Sequence, residues 1–191
     1  MRNQFNQAAM GCAVAIISLV HVASAQTPAP AAAAAPMSNV VASPTYIVIP
    51  MEISVNRPAA EVWKRVGKFC DIGEWFRIPC TITSGKDGEF GSVRSVAGEI
   101  LVGKTELSYT YTQAVRAGRP YNLYHGTLEA RPVTATTSKL VYNLVFDNSM
   151  LADDAAREKD RVQKTAQFNQ ALENMKILAE GGTLPPAPAR K

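Results

Sequence analysis

Histidine is almost absent from this 191-residue chain, which carries only His21 and His125. A Ser/His/Asp set or a zinc centre built on clustered imidazoles needs well-placed rings that the sequence does not supply. Cysteine is nearly as scarce: Cys12, Cys70 and Cys80 are the three, and no tight C-x-x-C pair occurs, which removes the usual thiol redox motif. There is no glycine-rich phosphate cradle and no run of Lys/Arg interleaved with aromatics. Lys and Arg total 20 against 16 Asp and Glu, but removing the terminal Arg2, Arg190 and Lys191 leaves 17 against 16. So small an excess offers no field for a polyanion, and no nucleic-acid partner is expected. No apolar run reaches the roughly 20 residues needed to span a bilayer, so no stable membrane anchor is expected either.

What is present at the two ends is processing and linker sequence. Residues 1–25 read as a secretory signal peptide: Arg2 near the start, an apolar stretch from Ala8 to Val22, and then Ala23-Ser24-Ala25 at the cleavage site. Cys12 precedes most of that apolar stretch instead of following it, which is the wrong order for a lipidation box. Residues 26–44 are rich in Ala and Pro and read as a linker, and residues 182–191, with Pro185, Pro186 and Pro188, read as a disordered tail. Between them, residues 45–181 are long enough for one domain with its own core. The expected destination is the periplasm of a Gram-negative bacterium. In that oxidising compartment the pair left in the mature chain, Cys70 and Cys80, is expected to form a disulfide.

The central segment alternates. Tyr46–Ile49 and Met51–Val55 form a first strand, and a helix capped by Asn56, with Pro58 in its first turn, runs to Gly67. A helical turn over Asp71–Phe76 follows, ended before Pro79. Strands are then expected at Cys80–Ser84, Gly91–Ala97, Glu99–Val102, Thr105–Gln113, Tyr121–Val133 and Lys139–Asp147. In the last three, Leu107, Tyr109 and Tyr111 share a face, as do Tyr124, Gly126, Leu128 and Ala130, and Leu140, Tyr142, Leu144 and Phe146. A long helix over Ala152–Glu180 carries Val162, Thr165, Phe168, Leu172, Met175 and Ala179 at helical spacing, with charges such as Glu158, Lys159 and Lys164 between them. The expected class is α+β: a curved antiparallel sheet of about seven strands wrapped around a long C-terminal helix, with two short helices after the first strand.

That order, together with Pro58-Ala59-Ala60-Glu61-Val62-Trp63, Phe69-Cys70-Asp71-Ile72-Gly73-Glu74-Trp75, Gly91-Ser92-Val93-Arg94, Ser108-Tyr109-Thr110-Tyr111 and Tyr124-His125-Gly126-Thr127-Leu128, resembles the SRPBCC or START-like helix-grip superfamily. Within it the chain is similar to the polyketide cyclase/dehydrase-like family, kin of the birch-pollen-allergen and abscisic-acid-receptor proteins. The chain departs from the family where His-Pro commonly follows the tryptophan, having Phe76-Arg77. The hairpin that forms a mobile gate in receptor-type relatives is also shortened here to Ala97-Gly98.

The resemblance implies an elongated apolar cavity between sheet and helix. Candidate lining residues are Trp75, Glu99, Tyr109, Tyr111, Tyr124, Leu128, Tyr142, Leu144, Phe168 and Leu172. The tyrosines offer an apolar ring and one orienting hydroxyl, or else simply pack a core. Glu99 faces the cavity or sits exposed at a strand end. Trp75 caps the mouth or anchors its helix, and Arg77 meets an anionic ligand group or lies on the surface. Arg94 has no assigned side, and His125 falls on the face opposite Tyr124. Catalysis, if any, would use Glu99 with Tyr109 or Tyr124 for proton transfer, without metal or cofactor. Three readings follow: a carrier or sensor of a small hydrophobic or aromatic molecule, a cyclase, dehydratase or lyase acting on one, or an envelope interaction module whose cavity is closed.

Overall fold

In the computed structural model, which describes residue 41 and residues 43–115 and 121–186, the chain begins with strand β1 (Tyr46–Val55) and helices α1 (Ala59–Val66) and α2 (Ile72–Trp75). Strands β2 (Ile82–Ser84), β3 (Val93–Arg94), β4 (Glu99–Lys104), β5 (Ser108–Gln113), β6 (Tyr124–Pro132) and β7 (Ser138–Asp147) follow, and helix α3 (Asp154–Ala179) ends the fold. The expected signal peptide and most of the linker lie outside the described residues. The strands form one antiparallel sheet in the order β1-β7-β6-β5-β4-β3-β2, which is the expected architecture.

Period-two patterning decides which face is buried. Along β6, buried and half-buried residues alternate from Tyr124 to Ala130, and His125 falls on the outer side, as its place opposite Tyr124 predicted. Gly126 is required inside this face. The Tyr111 ring from β5 lies flat across it, and a Cβ there would stand 2.3 Å from the ring. Pro50, which cannot donate to a ladder, falls on the edge strand β1. The core joins the inner sheet face to Val62 and Val66 of α1, Ile72 and Trp75 of α2, and Phe168, Ala171, Leu172, Met175 and Leu178 of α3.

Local capping differs from the sequence reading at α1. Asn56 does not cap α1. Its backbone N–H donates to Glu180 at 2.8 Å, while Pro58 occupies the position before the helix, with no side-chain cap. Helix α3 is capped by Asp153, whose carboxylate accepts from the Ala156 N–H at 2.7 Å. Val162, expected on the apolar stripe of α3, is 53% exposed, because the inner face of that first part of the helix is taken by Asp160 and Lys164 instead. A disulfide joins Cys70 to Cys80, with Cα atoms 5.6 Å apart, and so ties the α1–α2 turn to the segment entering β2. Among the described residues no helix is long and apolar enough to cross a membrane.

Candidate functional site

Cross-strand register builds the centre of the interior. Arg94 on β3 is opposite Glu99 on β4, and Glu99 is opposite Gln113 on β5, so three polar side chains stand in a row across the sheet. Arg94 faces inward and has no exposed surface. Its Nε donates to Glu99 Oε2 at 2.6 Å, and Nη2 lies 2.5 Å from that same oxygen. Nη1 donates to the Phe69 carbonyl at 2.5 Å, and Gln113 donates to the other oxygen, Glu99 Oε1, at 3.0 Å. The guanidinium lies 4.3 Å from the Phe69 ring centroid and 4.7 Å from that of Tyr111, so its charge is enclosed between aromatic faces. Burial alone disfavours that charge, but the surrounding tyrosine oxygens and Glu99 outweigh it and raise the Arg94 pKa. Burial also pushes the Glu99 carboxyl above its ordinary value, against the pull of Arg94 and Gln113. The guanidinium cannot give up its proton, so it balances the Glu99 charge whenever that carboxyl is ionised.

Around this pair the tyrosines fill space. Tyr109, Tyr111, Tyr124 and Tyr142 are all buried, and the Tyr111 and Tyr142 hydroxyls are 3.0 Å apart. Burial raises the pKa of each, so each keeps its proton at neutral pH. The Tyr142 ring meets Phe168 of α3 edge-on at 4.8 Å between centroids. Trp75 is an anchor: it is fully buried, packs edge-on against Tyr142, and its carbonyl accepts from Asn174 Nδ2 at 2.8 Å.

The filled centre leaves space at the two ends of β5. At the Gln113 end a pocket of about 310 Å³ opens between the sheet and α3, walled by Ile72, Phe76, Ile78, Val96, Ala97, Glu99, Gln113, Tyr111, Tyr121, Tyr124, Lys164, Gln167 and Phe168. At the Ser108 end lies a larger pocket of about 640 Å³, walled by Trp63, Phe69, Leu101, Tyr109 and the exposed Phe90, with Lys68, Asp87, Lys104 and Glu106 at its rim. A third, of about 420 Å³, lies between α2, α3 and Pro185-Pro186 and includes Trp75, Arg77 and Asn174.

The expected lining residues therefore part company. Glu99, Tyr111, Tyr124 and Phe168 come together on the 310 Å³ pocket, Tyr109 walls the pocket at the opposite end, and Trp75 borders the third. Leu128, Tyr142, Leu144 and Leu172 are packed in the core with at most 1% exposure and wall none of these three pockets. Aromatic bulk explains this: Tyr111, Tyr142 and Phe168 interlock over that part of the sheet. Arg77 borders the third pocket with a left-handed φ of 57°, away from Glu99 and Tyr124.

Sequence reasoning missed Lys164. Its ammonium lies 4.4 Å from the Tyr121 ring centroid and 5.5 Å from those of Tyr124 and Phe146, and 3.4 Å from Asp160 Oδ1. That carboxylate oxygen also accepts from the Tyr121 hydroxyl at 2.5 Å. Burial pulls the Lys164 pKa below its ordinary value, against the pull of Asp160. The signal was in the spacing: Asp160, Lys164, Phe168 and Leu172 follow one another at four-residue steps, so the apolar stripe of α3 turns charged on the same face.

No protein-family model matches the chain, and no curated protein matches it. Solved structures do. The Zhui aromatase/cyclase from Streptomyces sp. R1128 is similar over 73% of this chain and 100% of its own, at 18% identity and a TM-score of 0.55. A truncated norcoclaurine synthase from Thalictrum flavum is similar over 75% of this chain and 99% of its own, at 11% identity and a TM-score of 0.54. A protein from Nitrosospira multiformis covers 68% of this chain and 96% of its own, at 21% identity and a TM-score of 0.52. At these identities the likeness is one of fold, and the fold is the helix grip.

Proposed function

We propose that this helix-grip chain is an exported protein that binds a small, largely apolar molecule, as carrier or sensor, in the pocket between the sheet and α3 at the Gln113 end. The observation that carries this reading is the pocket's wall: Ile72, Phe76, Ile78, Val96 and Phe168 supply apolar surface, and Tyr124 and Lys164 place polar groups beside it. Its size sets the class of ligand. An apolar cavity of about 150 Å³ is enough for benzene, so about 310 Å³ suits a molecule of one or two rings. Enclosure contributes about 25 cal/mol for each Å² of apolar surface removed from water. The Cys70–Cys80 disulfide fits an oxidising compartment such as the periplasm.

A second reading, catalysis on such a molecule, is favoured by the meeting of Glu99, Tyr124 and Lys164 on one surface. Against it, Glu99 is paired with Arg94 and also accepts from Gln113, so taking a substrate proton there would leave the Arg94 cation buried without its partner. The closed-module reading is supported at the filled centre of the interior and opposed by the space at its ends. Titration with 2-naphthamide, an uncharged two-ring probe, followed by backbone amide NMR, tests the binding reading. Shifts are expected to cluster at Ile78, Val96, Gln113 and Lys164; an absence of saturable shifts anywhere would overturn it.

A further inference from the structure

Among the described residues, two charged side chains wall the pocket between the sheet and α3: Glu99 and Lys164. Their states differ. Glu99 is neutralised by Arg94, and its second oxygen is occupied by Gln113, so it presents little unbalanced charge to the pocket. Lys164 has a counterion in Asp160, but Asp160 does not wall the pocket, and its Oδ1 is held more closely by the Tyr121 hydroxyl, at 2.5 Å, than by Lys164, at 3.4 Å. An ammonium carries three N–H donors, and Asp160 at that distance satisfies at most one. The aromatic faces of Tyr121, Tyr124 and Phe146 hold the cation in place without using its donors. A molecule in the pocket thus meets a partly desolvated, pre-positioned cation whose counterion is not itself on the pocket wall, with the Tyr124 hydroxyl as a second polar group on the same wall.

We infer that the pocket's ligand is an aromatic carboxylate, its ring packed against Phe76 and Phe168 and its carboxylate on Lys164. This rests on the binding reading above and adds the charge of the ligand to it. Charge-assisted N–H···O⁻ bonds are the strong class, and the partial burial of Lys164 strengthens them further. The two rings stand edge to face, with centroids 5.2 Å apart, at the apolar side of the pocket.

The test compares two probes of equal shape, 2-naphthoate and 2-naphthamide, by calorimetric titration of the full mature chain. Wild type is expected to bind the naphthoate about tenfold or more tightly than the amide. Lys164→Met is expected to remove that preference, weakening the naphthoate about tenfold more than the amide, and Lys164→Arg is expected to restore part of it. Lys164→Gln replaces the methionine variant if that one fails to fold by circular dichroism. Equal affinity of the two probes for wild type, or an equal loss of both in the variants, would overturn the inference and leave the pocket intact. Failure of both probes to bind wild type would remove the binding reading itself, and the inference with it.

Discussion

The two ends of strand β5 carry pockets of opposite character. The one beside Ser108 and Lys104 has about twice the volume, yet its charged groups, Lys68, Asp87, Lys104 and Glu106, sit on a solvated rim, and Lys104 is already bonded to the Gly88 carbonyl at 2.6 Å. The one beside Gln113 is smaller, but its polar groups, Tyr124 and Lys164, are set into the wall and largely cut off from water. Charges on a rim are screened and exchange readily with solvent, whereas a desolvated cation keeps most of its interaction energy for a ligand. Volume is therefore the weaker guide to function here. Between the ends stands the Arg94–Glu99 pair in its aromatic box, which fills the middle of what would otherwise be one long cavity.

The strongest way to break this division is at the pair itself. Arg94→Met leaves Glu99 buried without its cation, and removing one partner of a buried pair costs about 3–5 kcal/mol. Chemical denaturation should show a loss of that order, and a loss under about 1 kcal/mol would mean that water already reaches the centre and that the two ends communicate. A smaller effect is expected at the disulfide, whose Cys70 lies between Phe69 on the larger pocket and Ile72 on the smaller. The bond acts largely by restricting the unfolded chain. Cys70→Ser with Cys80→Ser should therefore lower stability by roughly 2–3 kcal/mol for so short a loop. Unchanged denaturation midpoints with and without reductant in the wild type would contradict that.

The sequence made the fold legible because its signals are local and repeated. Alternation from Tyr124 to Ala130 and from Leu140 to Phe146 fixes the buried face, and the four-residue steps through Phe168 and Leu172 orient α3. The site was legible only in part, because it depends on register between distant strands. Arg94, Glu99 and Gln113 share one face because they stand opposite one another across three strands, and burial shows that face to be the inner one. Neither follows from periodicity within one strand. Leu128 and Leu144 were correctly placed on the inner face, but the interlocking rings of Tyr111, Tyr142 and Phe168 convert that face from cavity to core. Periodicity sets Lys164 among the charges between the apolar positions of α3, although its place four residues before Phe168 puts it on the inner stripe. A charged residue interrupting an apolar stripe at helical spacing was the available signal.

The most direct measurement is a pair of blocking substitutions, one at each end, read by 2-naphthamide affinity. Val96→Trp fills the half-buried mouth beside Gln113, and Ser108→Trp does the same at the opposite end. With both variants folded by circular dichroism, Val96→Trp is predicted to weaken binding at least tenfold while Ser108→Trp changes it less than twofold. Loss of binding in Ser108→Trp with retention in Val96→Trp would place the ligand in the larger pocket and contradict the account.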